Sequence, residues 1–164
     1  MPDWLTYVLS AWVVSEVLFI SGRRYARRYA GVAAIGSVLP DLVKPFYLLK
    51  TYLGLDLIGF SVPLATPVGA FLVAGLASTL FPRRRWSRAF GFLSIGVIIH
   101  LIWDSMLHPL GGGQLILFPF SFKQYSLGLI WSDSILPLLI VSVPFVILMA
   151  LRVTGRSTHG GGGL

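Results

Sequence analysis

The stretch GVIIHLIWDSMLHPLGGGQLILFPFS, residues 96–121, decides the fold expected of this chain. Its first part is an apolar segment that carries His100 and Asp104, and His108 follows at the next step of four. In a helix, steps of four place side chains on one face, about 6 Å apart along the axis. Pro109 and the glycines at 111–113 are expected to end that helix. Because ionisable groups are costly inside a membrane, this face is a candidate functional site.

The composition indicates an integral membrane protein. Apolar residues make up 55% of the 164-residue chain, charged residues only 12%, and the mean hydropathy is +0.82. Soluble domains usually carry about 25% charged residues, so this chain has too few for a surface in water. The absence of cysteine excludes disulfides, thiolate metal sites and cysteine nucleophiles.

The positive net charge is explained by the way basic residues set the orientation of a chain in a membrane. The chain has 13 Lys and Arg against 6 Asp and Glu. The basic residues form short clusters between apolar segments, which is the pattern that sets the orientation of membrane proteins. We therefore expect no nucleic-acid partner.

The hydropathy pattern predicts an all-α, polytopic membrane helix bundle of about five spans. It forms a single domain over residues 1–151, with a flexible tail at 152–164. Pro40 and Pro45 interrupt the second span, which is expected to be broken and packed inside the bundle. The apolar stretch 111–122 is expected to form a re-entrant or interfacial flap over a cavity. The predicted spans are 4–22, 30–50, 57–81, 89–107 and 127–151.

Basic residues predict the orientation. Ten arginines, including the clusters at 23–28 and 83–88, fall on one side of the five spans. Because positive residues favour the cytoplasm, the N-terminus is predicted outside and the C-terminus inside a cell (plasma) membrane.

The acidic residues and histidine of the spans are expected at one depth. Asp41, His100, Asp104 and Asp133 all fall in the outer halves of their predicted spans, whereas Glu16 falls in an inner half. A shared polar cavity that opens outward is the simplest explanation.

Several motifs resemble the membrane-bound metal-dependent hydrolase family, a group of small prokaryotic, often archaeal, inner-membrane proteins that includes the LexA-regulated hydrolase. The similar segments, in order over most of residues 1–140, are MPDWLTYVLSAW, GSVLPDLVK, PLATPVGAFL, HLIWDSML, LILFPFS and LGLIWSD. The resemblance implies a metal site formed by Asp41 of LPD and by His100 and Asp104 of HxxxD.

Such ligands suit zinc, manganese or a related divalent ion, which lowers the pKa of a bound water. Asp133 is then a candidate general base. Two positions depart from the family pattern, since relatives often have histidine where this chain has Tyr7 and Ala65. If those histidines bind metal, this chain lacks two expected ligands.

A structural interpretation is also open for each of these residues. His100 and Asp104 can hydrogen-bond across helices, and Asp41 can cap a helix or pair with Lys44. His108 is expected at the interface and Glu16 beside a hydroxyl or an arginine. Tyr7, like Trp4, lies near a span end as aromatic belt residues do.

Two functions therefore remain. The first is a metal-dependent hydrolase that acts on a lipid or envelope ester or phosphoester from the outer face. The alternative is a non-catalytic relative that serves as an accessory or structural subunit of a membrane complex. Expected partners are membrane lipids, and other membrane subunits or further copies of the chain. An ion path through the same acids is less favoured, because no internal repeat is evident.

Overall fold

A computed structural model describes residues 4–55, 57–108, 113–131 and 133–157. Within these ranges the fold is all-α, with two isolated backbone bridges and no β-strand. Short 3₁₀ turns connect several of the helices. The α-helices are α1 (Trp4–Ile20), α2 (Ala30–Gly36), α3 (Lys44–Leu53), α4 (Ile58–Ser61), α5 (Pro67–Ser78), α6 (Trp86–Met106) and α7 (Leu136–Ser157).

Three helical segments are long and apolar enough to cross a membrane, as expected of a membrane protein. They are Ala26–Leu53, Arg83–Met106 and Leu136–Val153. Two further apolar helices, α1 and α5, are shorter. At a rise of 1.5 Å per residue, the 12 residues of α5 extend only about 18 Å.

The second predicted span is broken where the sequence indicated. A 3₁₀ turn at Leu39–Val43, with proline in its first turn, separates α2 from α3. Ala30, Ala33 and Gly36 bury one side of α2, which confirms that this half packs inside the bundle. The same expectation is wrong for α3, which has no buried residue among those described.

The third predicted span, 57–81, is also interrupted, although a continuous span was expected there. α4 has four residues, and a 3₁₀ turn at Val62–Ala65 precedes α5. Thr66 is the N-cap of α5 because its hydroxyl accepts a hydrogen bond from the Gly69 backbone N–H. The proline-rich first half therefore forms turns, and only Pro67–Ser78 is a regular helix of the bundle.

The core of the bundle lies around α6. Ala70, Ala74, Leu93 and Val97 form one buried cluster between α5 and α6. A second cluster joins α1 and α2 to Phe92 of α6. α6 is therefore surrounded by small side chains that let neighbouring helices approach it.

Glu16 lies at the end of the bundle that carries the arginine clusters. It is buried in α1 and accepts hydrogen bonds from Arg27 Nε and Nη2, at 3.0 and 2.7 Å. Arg152 of α7 lies 3.4 Å from the same carboxylate. The expectation that Glu16 pairs with an arginine is confirmed.

The fifth predicted span begins later than expected. α7 starts at Leu136, whereas residues 127–131 run alongside the end of α6 without forming a helix. The Leu127 and Leu129 N–H groups donate to the carbonyls of Ser105 and Met106, both at 2.8 Å. α7 then continues to Ser157, beyond the predicted start of the tail at 152, and residues 158–164 lie outside the described residues.

The segment 113–131 folds back over the end of α6, and we call it the flap. Its Gln114 and Tyr125 exchange two backbone hydrogen bonds, at 2.8 and 2.9 Å. Apolar side chains point away from the bundle, and Phe120 is 95% exposed. Gly113, Gln114 and Leu115 instead line a cavity beneath the flap, as the sequence predicted. Residues 109–112 lie outside the described residues.

Candidate functional site

His100 is the buried centre of the candidate site. Its side chain is 2% exposed, and Nδ1 lies 2.8 Å from the backbone carbonyl of Ser37 at the end of α2. A carbonyl oxygen only accepts, so Nδ1 donates this hydrogen bond. The bond fixes the imidazole ring and directs Nε2 towards the cavity.

Two carboxylates face Nε2 of His100. Asp104 Oδ2, one helical turn further along α6, lies 3.1 Å away. Asp41 Oδ1, in the 3₁₀ turn between α2 and α3, lies 3.9 Å away. Three of the four predicted site residues are therefore brought together from two separate elements.

Tyr7 of α1 completes this group. Its ring stacks on His100 with centroids 4.2 Å apart, and its hydroxyl donates a hydrogen bond to Asp104 Oδ1. Tyr7 is fully buried, so its interpretation as a belt aromatic is wrong. The signal in the sequence was its position directly after Trp4-Leu5-Thr6, where the resemblance predicts a histidine in relatives.

Lys44 supplies a fixed positive charge at the edge of the site. Its ammonium lies 2.5 Å from Asp41 Oδ2, which confirms the pairing that the spacing allowed. The same ammonium lies 5.6 Å from the centroid of the Trp4 ring, within cation–π range. Asp41 is therefore neutralised on one side by Lys44 while its other oxygen faces His100.

The site opens into a cavity of about 850 Å³. This volume lies within the range of small-molecule sites, about 300–1,000 Å³. Asp41, Lys44, His100 and Asp104 form its polar wall together with Gln114 and Gln124 of the flap. Apolar side chains form much of the remaining surface, and Ala65, the second position that departs from the family pattern, also lines it. The cavity therefore suits a ligand that has both polar and apolar parts.

Asp133 and His108 lie elsewhere. Asp133 is exposed in the turn before α7 and is not among the described residues that line the cavity. His108 lies beyond the end of α6, is exposed and stacks on Trp131 at 4.7 Å. Of the three side chains expected on one face of a helix, only His100 and Asp104 therefore lie together at the site.

The side chains as arranged do not fit the predicted metal centre. Each carboxylate already accepts from a donor of the chain, Asp41 from Lys44 and Asp104 from Tyr7. Within the described part of the chain, no group of three or more His, Asp or Glu side chains is placed to hold a metal ion. The three predicted ligands meet in a network of ion pairs and hydrogen bonds, and their role towards a metal stays a prediction.

Comparison of the chain with protein-family models, with curated proteins and with solved structures found no match.

Proposed function

We propose that this chain is a membrane-embedded hydrolase that cleaves an ester or phosphoester bond in a lipid or another amphiphile of the cell envelope. The observation that supports this most directly is the meeting of Asp41, His100 and Asp104 at the wall of a mixed polar and apolar cavity. Buried ionisable groups inside a membrane bundle usually serve a function.

Asp104 is the general base of the proposed reaction. His100 and Tyr7 hold its two oxygens, and its side chain remains 24% exposed. A carboxylate has more lone pairs than these two donors use, so a water molecule in the cavity can donate to it. Asp104 then removes a proton from that water as the oxygen attacks the ester carbon or phosphorus. The bond to the leaving alcohol oxygen breaks, and Asp104 returns the proton to that oxygen. Tyr7 and His100 are positioning residues for this step.

Lys44 stabilises the negative charge that develops on the substrate. An ammonium has three donors, and the contact with Asp41 uses one of them. The remaining donors lie at the cavity wall, where a fixed cation lowers the energy of an oxyanion in the transition state. Asp41 holds Lys44 in place, and no step requires a metal.

The site belongs to the outer face of the plasma membrane in this proposal. Arginine clusters follow α1 and precede α6, at the end of the bundle opposite Tyr7 and Asp104. The positive-inside rule assigns that end to the cytoplasm, with the N-terminus outside. Substrate then enters from the outer leaflet.

A non-catalytic role is the second candidate. Lys44 and Tyr7 occupy the carboxylates that a metal hydrolase would use as ligands. The same cavity then binds an amphiphile without cleaving it, within a homo-oligomer or a complex of membrane subunits.

Hydrolysis by the full chain in lipid nanodiscs separates the two candidates. The substrates are a phospholipid and a nitrophenyl ester, and the variants are Asp104→Asn and its matched control Asp133→Asn, an exposed carboxylate outside the cavity. We expect Asp104→Asn to lower kcat by about 10²–10⁴-fold and Asp133→Asn to leave it unchanged. Equal rates for the wild type and Asp104→Asn, or no turnover by the wild type, would contradict the enzyme proposal. Elemental analysis of the same samples tests the predicted zinc or manganese.

A further inference from the structure

A second cavity adjoins the candidate site on a different face of α6. This groove has a volume of about 500 Å³ and lies between α6, the flap and Pro67 at the start of α5. Its α6 residues include Ile98, Leu101 and Ile102, whereas His100 and Asp104 line the first cavity. The helical repeat of 3.6 residues turns these two sets in different directions. The groove is therefore separate from the catalytic wall but next to it.

The groove is apolar except where it meets the site. Aliphatic side chains of α6 and the flap form most of its lining, including Leu127 and Leu129. Its polar side chains are Ser105 and Gln114. The Ser105 hydroxyl donates to Gln114 Oε1 at 3.1 Å, so these two side chains lie together. Polarity is thus confined to one part of the groove.

Gln114 joins the two cavities. It lines both of them, and Asp104 of the proposed catalytic group lines the first cavity with it. Its backbone is held by two hydrogen bonds to Tyr125. At the preceding Gly113 a Cβ atom would lie 2.5 Å from the Tyr125 carbonyl oxygen, so this close approach requires glycine. Gln114 is therefore a fixed polar boundary between a polar cavity and an apolar groove.

We propose that the groove holds the hydrocarbon chain of the same molecule whose polar head occupies the first cavity. The ligand class is a lipid ester or phosphoester with at least one long acyl chain, with its head beside Lys44 and Asp104 and its chain along Ile98, Ile102 and Leu129. The assignment of the head rests on the proposed function. The assignment of the chain rests on the apolar lining of the groove and on Gln114, which lines both the groove and the first cavity.

A hydrocarbon chain fits this groove better than a peptide does. A peptide would bring N–H and C=O groups that need partners, whereas the described residues of the groove offer side-chain polarity only at Ser105 and Gln114. A methylene chain needs none, and each methylene that moves from water into the groove contributes about 0.8 kcal/mol. The groove thus provides affinity in proportion to chain length, while the first cavity recognises the head.

Binding of two non-hydrolysable probes tests the proposal without requiring turnover. The probes are a long-chain monoacyl ether phospholipid and its short-chain analogue with the same head, measured against the full chain in detergent. Ile102→Trp fills the groove from a position that is 54% exposed, and Leu72→Trp is the control on the exposed surface of α5, at 70% exposure. Leu129→Trp, from the flap side, is a second groove variant.

We expect both groove variants to weaken binding of the long-chain probe by about tenfold, the loss of roughly two buried methylenes, and to leave the short-chain probe unchanged. Leu72→Trp should change neither. Equal weakening of both probes, or no change for the long one, would overturn the proposal. Loss of a self-association in Ile102→Trp, with lipid binding intact, would overturn it too and assign the groove to a second copy.

The two proposals fail separately. If Asp104→Asn hydrolyses substrate like the wild type while the groove variants still discriminate chain length, the hydrolase proposal fails and the lipid groove stands. If Asp104→Asn is inactive and the groove variants show no chain-length effect, the lipid-groove proposal fails and the hydrolase proposal stands.

Discussion

Gly96 of α6 lies directly against Gly36 of α2. A Cβ atom on Gly96 would come within 2.6 Å of the Gly36 carbonyl carbon and within 2.1 Å of the Ala33 carbonyl oxygen. The backbones of α2 and α6 are therefore in direct contact where the two helices cross. One turn along α6 from this crossing, His100 reaches the carbonyl of Ser37, the residue after Gly36. The glycine pair thus determines how far the imidazole extends towards Asp41.

Gly96→Ala should separate α2 from α6 and destabilise the fold. The added methyl group has no space, and such overpacking typically costs about 1–3 kcal/mol. The change should also break the bond between His100 and Ser37, so hydrolysis or ligand binding should fall further than stability does. Unfolding in a denaturing detergent and ligand affinity are the two measurements.

Gly91→Ala is the matched control for this prediction. Gly91 lies in the same helix, and a Cβ atom there meets nothing within 4 Å. Alanine in a helix is favoured over glycine by about 0.5–1 kcal/mol, so this variant should be neutral or slightly stabilised. Equal destabilisation by both substitutions would show that the crossing does not depend on Gly96.

Tyr7→Phe should impair the site while leaving the fold largely intact. The phenyl ring keeps the stacking on His100, but Asp104 loses one of its donors. We expect a cost of about 1 kcal/mol in unfolding free energy and a fall in kcat of about tenfold with little change in KM. Tyr47→Phe is the control, because Tyr47 lines the same cavity but is half exposed on α3. A fall in kcat for Tyr47→Phe that equals the fall for Tyr7→Phe would argue against a specific positioning role.

The polar centre of the fold was largely predictable from the sequence. Ionisable residues in apolar spans have few tolerable positions, so Asp41, His100 and Asp104 were expected at one depth, and the structure brings them together. The break at Leu39–Val43 followed from Pro40 and Pro45. Charged residues and prolines are informative in a sequence because a charge in a membrane, or a proline within a helix, is energetically costly in any fold.

The ends of the helices were less predictable. Residues 127–131 are apolar, yet they satisfy the last carbonyls of α6, such as that of Ser105, instead of starting α7. A helix leaves its last four carbonyls without internal partners, and hydropathy does not reveal which segment will supply them. The burial of Tyr7 was missed for a similar reason. A tyrosine near a span end fits a membrane interface and a buried hydrogen bond equally well, and only the position of α6 decides between them.

Glu16→Gln should loosen the attachment of α7 to the rest of the bundle. The Glu16 carboxylate is the shared partner of Arg27 and Arg152, and the second of these belongs to α7. Both arginines are partly exposed, so in the variant they can be solvated by water. We therefore expect the free energy of unfolding to fall by about 1–3 kcal/mol, at or below the range for breaking a fully buried ion pair. Hydrogen exchange should rise most at the end of α7.

A double-mutant cycle with Arg152→Gln isolates this contact. If Arg152 acts through Glu16, the sum of the losses in unfolding free energy of the two single variants should exceed the loss of the double variant. Arg84→Gln, an exposed arginine in the turn before α6, is the control and should be neutral. Additive losses would show that α7 is held by its apolar contacts alone.

Placing histidine at positions 7 and 65 should convert the site into a metal centre. Position 7 is stacked on His100 and position 65 lines the same cavity, so the double variant Tyr7→His with Ala65→His adds two imidazoles near Asp41, His100 and Asp104. It also removes the tyrosine hydroxyl that now binds Asp104. With imidazole and carboxylate ligands available, we expect stoichiometric Zn²⁺ in the double variant and much less in the wild type, measured by elemental analysis after dialysis.

Adding Asp104→Asn should reduce the bound zinc, because one carboxylate ligand is lost. A double variant that folds but binds no more zinc than the wild type would show that positions 7 and 65 are not metal positions in this bundle, and would remove the main reason to regard the present site as a metal centre that has lost ligands.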